Sequence, residues 1–253
     1  KGRQALGKAL DLTLAHVRAA VANWRAMVEA MNADANRLGA AEGGDLLRWL
    51  QKGNLTQLGH ELRARDGKAS RAKGICTFTD EPVLAEGRIA AAFAWFEAGN
   101  AGPLTLKSNR FSRVHRNVLI DLFIVPVREG DTIVALSVHA GLWTSASLHS
   151  TPDEVPVLRA RLTALETKFG FDPRGHTGKA LAHALTGLPH DLTIAFPQEA
   201  LERIALTAMS VTDRPRSKLI LVRSALGRHL FAFVWLPRDD VSTGRRVAIG
   251  EML

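Results

Sequence analysis

The pattern of apolar and polar residues is clearest in the middle of the chain. Two aliphatic and β-branched runs, residues 118–127 and 132–139, flank the polar turn 128–131, in which Gly130 can adopt a positive φ. This pattern predicts a β-hairpin. Both faces of the first run are apolar, which is typical of a strand covered on both sides, so we expect it to be the central strand of a sheet.

Shorter runs on the N-terminal side add strands to this hairpin. They predict strands at 55–63, 75–79 and 103–108, a polar turn at 66–73, and a helix that opens at Pro82 and carries Ile89, Phe93 and Phe96. Tight turns on both sides of one helix favour an α+β domain over residues 43–150, with an antiparallel five-stranded sheet and flanking helices on one face. This order of elements is similar to that of PAS-like sensory domains.

Residues 1–42 carry a helical period instead. Steps of three and four separate the apolar residues Leu6, Leu10, Leu14, Val17, Val21, Trp24, Val28 and Met31. We predict one amphipathic helix, about 40 Å long at about 1.5 Å per residue, that ends at Gly39 and at the pair Gly43 and Gly44. Asp45 is the expected N-cap of a short helix that follows. The stripe either packs along its own domain or a neighbouring module, or self-associates as a coiled coil.

Beyond residue 150 the apolar spacing becomes helical again. It predicts three helices, with Thr151 as the N-cap of the first: 152–169, 176–186 and 197–209. Together they form a helical connector over residues 151–214. A hairpin of strands 218–224 and 229–236, followed by a helix from about residue 242, looks like half of a ferredoxin-like domain, so we expect a partial module at 215–253.

The composition is that of a folded protein with a hydrophobic core. The chain has 253 residues, of which 46% are hydrophobic, and one cysteine, Cys76. A single cysteine excludes an internal disulfide framework and favours a cytoplasmic location. No apolar run reaches the roughly 18 residues that a membrane-spanning helix needs, so we expect no membrane partner. The chain begins at Lys1 without a secretory signal, and we expect it to be a piece of a longer protein.

The net charge of +8 invites a nucleic-acid interpretation. Basic residues are densest at 63–73 and 107–116, and elsewhere nearby acids balance most of them. Apart from Phe111, neither cluster contains the phenylalanine, tyrosine or tryptophan residues on which single-stranded bases stack. We therefore expect no nucleic-acid partner.

The sequence lacks the motifs of several enzyme classes. It contains no glycine-rich G-x-G-x-x-G or G-x-x-x-x-G-K-[ST] turn for a nucleotide, no H-E-x-x-H zinc helix and no G-x-S-x-G nucleophile turn. The nine histidines are scattered, and the closest pairs, such as His176 and His183, lie seven residues apart. Two helical turns are too far for shared ligation. We predict no catalytic, cofactor-binding or metal-ligating residue in this chain.

Two groups of basic residues are candidates for binding an anion. Lys107, Arg113, His115 and Arg116 are interleaved with two serines at the entry to the predicted central strand. They form either an anion-binding edge or a solvated loop. Arg223 and Arg228 flank the last hairpin, where they either bind a carboxylate at a domain interface or remain exposed.

Three blocks of sequence carry a family resemblance: LLRWLQKGNLTQLGHEL at 46–62, LTLKSNRFSRVHRNVLIDLFIVPV at 104–127 and HAGLWTSAS at 139–147. Together with residues 155–181 and 215–246, they resemble the regulatory N-terminal half of the large, long-chain NAD-specific glutamate dehydrogenases of bacteria. The resemblance covers most of the chain from about Leu46, with the spacing between blocks kept. This chain departs from the family at Leu55 and Leu58, where aromatics are common, and at Trp143, where phenylalanine is frequent.

The resemblance implies a division of labour. The full enzyme would deaminate L-glutamate to 2-oxoglutarate with NAD in a downstream catalytic domain. The family's N-terminal half carries PAS-like and ACT-like modules, linked to amino-acid control and oligomer assembly. By this resemblance, residues 43–150 are the PAS-like module, 151–214 the connector and 215–253 the start of an ACT-like module. The family's substrate lysine and dinucleotide fold have no counterpart here, so NAD is implied for the parent enzyme alone.

We therefore expect a non-catalytic regulatory and scaffolding segment. Its implied partners are the downstream catalytic domain, further copies in a homo-oligomer and an amino-acid effector. Alternative hypotheses are a purely structural oligomer-assembly module and a free-standing small-ligand sensor. The candidate effector or interface residues are Lys107, Arg113, His115, Arg116, Trp143, Arg223 and Arg228.

Overall fold

The computed structural model describes residues 2–252. Lys1 and Leu253, the outermost residues of the predicted first helix and last module, lie outside the described residues. The chain divides into two compact units, with the boundary between His149 and Ser150. None of the described helices is long and apolar enough to cross a membrane.

The first unit consists of a sheet and four α-helices. Its helices are α1 (Gly2–Leu38), α2 (Glu42–Trp49), α3 (Glu86–Glu97) and α4 (Ser145–His149). Its strands are β1 (Leu55–Ala64), β2 (Ala69–Gly74), β3 (Leu104–Phe111), β4 (Leu119–Glu129) and β5 (Thr132–Trp143). The strands form one five-stranded antiparallel sheet in the order β2-β1-β5-β4-β3, which confirms the predicted α+β class.

The middle strand of this sheet is β5. The prediction placed residues 118–127 at the centre, but β4 lies one position away from it, between β5 and β3. Strand β5 also continues past His139 to Trp143 because Gly141 pairs with Gln57 and lets β1 approach closely. A Cβ on Gly141 would lie 2.8 Å from the Leu55 side chain. Gly141 is therefore needed within the strand.

Three further predictions in this unit are wrong. The segment predicted as a turn contains most of β2, an edge strand in which Ala69, Ser70 and Arg71 are exposed. The predicted strand at 75–79 is a 3-10 turn at Ile75–Thr77. Ile75 and Cys76 looked like part of a strand because they are apolar, but their side chains are buried in the core directly after β2 ends at Gly74. Helix α2 begins before Asp45 and includes Gly43 and Gly44, whose missing side chains permit close backbone packing.

Helix α1 packs against the sheet along part of its length only. Its buried face starts at His16, whose ring lies 4.2 Å from that of Phe78, and continues through Met27 and Met31. Burying each methionine stabilises this docking by about 1.5–3 kcal/mol. By contrast, the predicted apolar stripe is largely exposed: Leu6 is 71% and Leu10 56% accessible. Met31 belongs to both sets. The buried His16, Ala20 and Met27 each lie one residue before a member of the stripe, or about 100° around the helix.

The second unit is a helical layer against a hairpin. Its elements are α5 (Leu158–Phe169), α6 (His176–Thr186), α7 (His190–Thr193), α8 (Gln198–Asp213), β6 (Lys218–Arg223), β7 (Leu230–Trp235) and α9 (Thr243–Met252). Phe196 joins the layers, with its ring 5.6 Å from Phe231 and 5.8 Å from Phe233 of β7. The ACT-like assignment of the hairpin and α9 stays a prediction.

The helix starts are the least accurate part of the sequence prediction. Helix α3 begins at Glu86, four residues after Pro82. Helix α5 begins at Leu158 rather than near Thr151, because Val157 has a φ of +73° that interrupts the helical path. Helix α8 continues past Met209 to Asp213, and α7 was not predicted.

Candidate functional site

Four buried polar residues meet where α1 crosses the sheet. Asp34 of α1 is fully buried, and His60 of β1 lies opposite His139 of β5 in the antiparallel ladder. Ser137 lies two residues before His139 and therefore on the same face of the sheet. We call Asp34, His60, Ser137 and His139 the polar cluster.

Hydrogen bonds close the polar cluster around one carboxylate oxygen. Asp34 Oδ2 accepts from Ser137 Oγ at 2.5 Å and from His139 Nε2 at 2.5 Å. Because the Ser137 proton goes to Asp34, His60 Nε2 must donate to Ser137 Oγ, from which it lies 2.9 Å away. Arg37, one turn further along α1, contacts the other oxygen of Asp34. These contacts fasten α1 to β1 and β5.

Both histidines of the cluster are held neutral. Burial lowers the pKa of His60 from 6.5 to about 3, and the nearby charges of Lys73, Arg37 and Arg71 act in the same direction as the His139 ring. Burial also lowers the pKa of His139, with Arg37 adding to the effect. The Asp34 carboxylate favours the protonated form of His139, but it is shared with Ser137 and Arg37.

The polar cluster has the ligand types of a metal site. One ligand atom from each of Asp34, His60 and His139 lies within 4.8 Å of the others. However, the Asp34 oxygen and the His139 nitrogen are 2.5 Å apart, whereas bonds of about 2.0–2.2 Å to tetrahedral zinc separate two ligands by about 3.3 Å. Arg37 already neutralises the carboxylate. The arrangement therefore fits a hydrogen-bonded structural contact between α1 and the sheet better than a cation site.

The cluster also contains serine, histidine and aspartate, but in the wrong order for a nucleophile. A nucleophilic serine donates its proton to a histidine base, which an acid then orients. Here Ser137 donates to Asp34 and accepts from His60, and it is 1% accessible. Acyl transfer is therefore not supported by this geometry.

A pocket of about 550 Å³ opens beside the polar cluster, between α1 and the strands. We call it the α1 pocket. Its floor includes the buried His60 and Ser137, and its α1 wall includes Ala26, Ala30 and Ala33, whose small side chains leave the space open.

Charged side chains of both signs line the α1 pocket. The basic ones are Arg37, Arg71 and Lys73, and the acidic ones are Glu29 and Glu129. Arg37 is paired with Asp34. Within the part of the chain that the structure describes, the other four form no ion pair.

The predicted anion-binding edge is largely occupied by acids of the same unit. Lys107 Nζ lies 2.5 Å from Asp121 Oδ1, and Arg113 Nη2 lies 2.8 Å from Glu81 Oε1. His115 is exposed, with a φ of +66°. Lys107 and Arg113 thus already have carboxylate partners.

Arg116 and Trp143 are brought together at the end of β5. An Nη2 of Arg116 donates to the backbone oxygen of Trp143, whose ring is buried against Trp49 and Phe123 at 5.6 and 6.4 Å between centroids. Trp143 is therefore a core residue. In the second unit, Arg223 and Arg228 are exposed around the β6–β7 turn.

The sequence does not predict the polar cluster, because its members lie far apart in the chain. Only the register of β1 against β5 brings His60 to His139, and spacing along one helix cannot reveal such a pair. One signal was present: Asp34 follows Met31 at helical spacing, so a charged residue continues a buried face.

Comparisons with known proteins point to one group of enzymes. The family described as "Glutamate dehydrogenase, helical motif 1" matches residues 155–214. A protein of Halomonas elongata named NAD-specific glutamate dehydrogenase is 28% identical over 227 residues, which is 84% of this chain and 14% of that protein. Proteins of the same name match from Pseudomonas aeruginosa, 30% identical over 56% of this chain, and Mycobacterium tuberculosis, 23% identical over 83%.

The chain spans only 9–14% of the length of these three relatives. Their shared name and the helical-motif match confirm the resemblance drawn from the sequence blocks. The PAS-like and ACT-like assignments stay predictions.

Proposed function

We propose that this chain, which is related to the large NAD-specific glutamate dehydrogenases, is a non-catalytic regulatory and scaffolding segment of such an enzyme. The parent reaction would convert L-glutamate, NAD and water to 2-oxoglutarate, ammonia and NADH. NAD and the catalytic residues would belong to a downstream domain of the same longer chain. The segment would control activity through effector binding or subunit contacts, in a cytoplasmic homo-oligomer.

The observation that carries the scaffolding role is the uneven burial of α1. From His16 to Ala35 one face is buried against the sheet, and Asp34 fastens it there through Ser137 and His139. Before His16 the helix exposes Leu6, Leu10 and Leu14. A rigid helix that presents a row of leucines to solvent has the character of an interaction surface.

A second feature extends this apolar surface. A groove of about 440 Å³ runs beside α1 and is lined by Val17, Val21, Trp24 and Val28 of the stripe, with Leu55 of β1 on its other side. The stripe thus continues from the overhanging turns into a cleft of the domain. A helix from another subunit or domain would bury both together.

The polar cluster supports a structural role in the same way. Its serine proton is committed to Asp34 and its histidines are kept neutral, so it holds α1 in place rather than offering a reactive group. An effector acts only by making different contacts in two conformational states. A helix that is held firmly against the sheet, as α1 is, could transmit such a difference to a neighbouring subunit or domain.

The test uses the glutamate dehydrogenase that carries this segment. A triple substitution of Leu6, Leu10 and Leu14 to glutamine should lower the oligomeric mass in light scattering and change glutamate-dependent NADH formation. The matched control replaces Lys8, Asp11 and Arg18, exposed residues of the same helix, with glutamine and should leave both unchanged.

Deletion provides the stricter outcome. If the enzyme lacking residues 40–253 assembled normally and kept its rate and effector response, the proposed function would be wrong.

A further inference from the structure

We propose that the apolar stripe of α1 pairs with the same stripe of a second copy of this chain, antiparallel to it, about a two-fold axis that passes near Ala19. The inference rests on the proposed scaffolding role and names the partner of its interaction surface. Two surfaces of each copy would meet in this pair: the overhanging turns of α1 before His16, and the groove beside residues 17–28 of α1.

The spacing of the stripe is the same in both directions along the helix. From Leu10 to Val28 its apolar residues are separated by steps of four, three, four, three and four. An isologous contact needs this self-complementarity, because residue i must meet residue j while j meets i. The layers of an antiparallel pair, each formed twice by symmetry, are Leu10 with Val28, Leu14 with Trp24, and Val17 with Val21.

The burial of α1 makes its two halves complementary to each other. Leu10 and Leu14 overhang the sheet and are 56% and 41% exposed, whereas the groove of about 440 Å³ lies further along the same stripe and is walled on its other side by Leu55. In the antiparallel register the overhang of each copy lies in the groove of the other. One contact therefore covers both surfaces, whereas a parallel pair would set overhang against overhang and groove against groove.

The charges beside the stripe favour the antiparallel orientation. Asp11 and Arg25 are exposed, and each follows a stripe residue by one position, so both lie on the side of the stripe away from the sheet. Within the part of the chain that the structure describes, neither forms an ion pair. In the antiparallel pair Asp11 of each copy lies beside Arg25 of the other, whereas in a parallel pair both would face apolar residues.

Arg18 is the one charge that the axis brings close to its own copy. Its side chain is exposed, so solvent and salt screen the repulsion between the two guanidinium groups. Exposed ion pairs are worth little. The charges therefore select the orientation of the helices, and the apolar layers supply the affinity.

The experiment introduces single cysteines into the 253-residue chain and applies a short thiol-to-thiol crosslinker. Cys76 is only 5% accessible, so the introduced thiols react first. We expect Leu10→Cys mixed with Val28→Cys to give a crosslinked dimer. Either variant alone should not crosslink, because position 10 of one copy lies opposite position 28 of the other, which separates identical residues by about 27 Å at about 1.5 Å per residue.

The matched control is Lys8→Cys mixed with Val28→Cys. Lys8 is exposed on the same overhanging turns but lies off the stripe, so this mixture measures random collision. The yield from Leu10→Cys with Val28→Cys should exceed it at least fivefold.

Light scattering against concentration gives an independent measurement. Leu10→Gln with Leu14→Gln should raise the dimer Kd at least tenfold, whereas Lys8→Gln should leave it unchanged. Leu10 and Leu14 are already exposed in the single chain, so these changes spare its fold, and circular dichroism checks that they do.

Two results would overturn the inference. Leu10→Cys alone crosslinking as well as the mixture would show a parallel pair, and a chain that stays monomeric at millimolar concentration would show that a different protein or segment covers the stripe. Neither touches the proposed function, which is tested by the assembly and rate of the whole enzyme. Conversely, an enzyme that keeps its rate, assembly and effector response without residues 40–253 would refute the proposed function, and the crosslink in this chain would still stand.

Discussion

Replacing Asp34 with alanine tests whether the polar cluster fastens α1 to the sheet. The substitution removes the acceptor of two buried donors, Ser137 Oγ and His139 Nε2. A buried donor left without a partner costs about 1–3 kcal/mol. The Arg37 contact adds little, because the Arg37 side chain is 43% exposed. We therefore expect Asp34→Ala to lower the free energy of unfolding of the first unit by about 3–5 kcal/mol.

Urea unfolding followed by tryptophan fluorescence measures this loss. Four of the five tryptophans, Trp24, Trp49, Trp95 and Trp143, precede Ser150, so the signal reports chiefly on the first unit. Asp34→Asn keeps one acceptor oxygen and should lose less, about 1–3 kcal/mol.

The control for this experiment is Asp11→Ala, which removes an exposed carboxylate from the same helix. Its unfolding free energy should stay within about 0.5 kcal/mol of the unsubstituted chain. A loss below about 1 kcal/mol for Asp34→Ala would refute the proposed role of the polar cluster in holding α1, because two buried donors without partners should cost more than that.

Two further outcomes follow from the same unit. Because the pKa of His60 is 6.5 unfolded and about 3 folded, protonation favours the unfolded state, so stability is full above pH 6.5 and falls as pH drops towards 3. His60 contributes a slope of about 1.4 kcal/mol per pH unit, and His139, whose pKa burial also lowers, adds a slope of the same sign. In urea titrations from pH 7.5 to 4.5 the total slope should become clearly shallower in His60→Gln without vanishing; an unchanged slope in that variant would contradict the assignment. Gly141→Ala should cost about 1–3 kcal/mol, since its Cβ would meet Leu55 and the Thr56 oxygen at 2.8 Å. In contrast, Gly87→Ala in α3, with open space around it, should be neutral or stabilising by up to about 1 kcal/mol, and equal losses for both glycines would argue against the close approach of β1 and β5.

Much of the fold follows from local patterns in the sequence. Continuous aliphatic and β-branched runs identified β4 and the start of β5, and helical spacing identified α1 and α6 because these elements carry enough apolar residues of the right kind. Strand β2 could not be found this way. It lies at the edge of the sheet, none of its residues has a large apolar side chain, and its hydrogen bonds to β1 rather than its side chains make it a strand.

The candidate site was harder to predict from the sequence than the fold, because it depends on how the strands are paired and on which charged residues meet. The predicted anion edge contained the right residue types, but Lys107 and Arg113 face Asp121 and Glu81, which come from distant parts of the chain. The cations of the α1 pocket, Arg71 and Lys73, belong to the basic cluster at 63–73, where local sequence gave no reason to separate them from solvated neighbours.

Helix α1 connects an exposed apolar surface at its N-terminal end to the buried polar cluster near its C-terminal end. From Leu6 to Asp34 the helix is continuous over 29 residues, and the two ends lie about 42 Å apart at about 1.5 Å per residue. One end carries the exposed leucines, and the other holds Ser137 in the floor of the α1 pocket. Because Asp34 accepts from Ser137 and His139 of β5, a displacement of the exposed end of α1 would be felt at the centre of the sheet through one continuous helix.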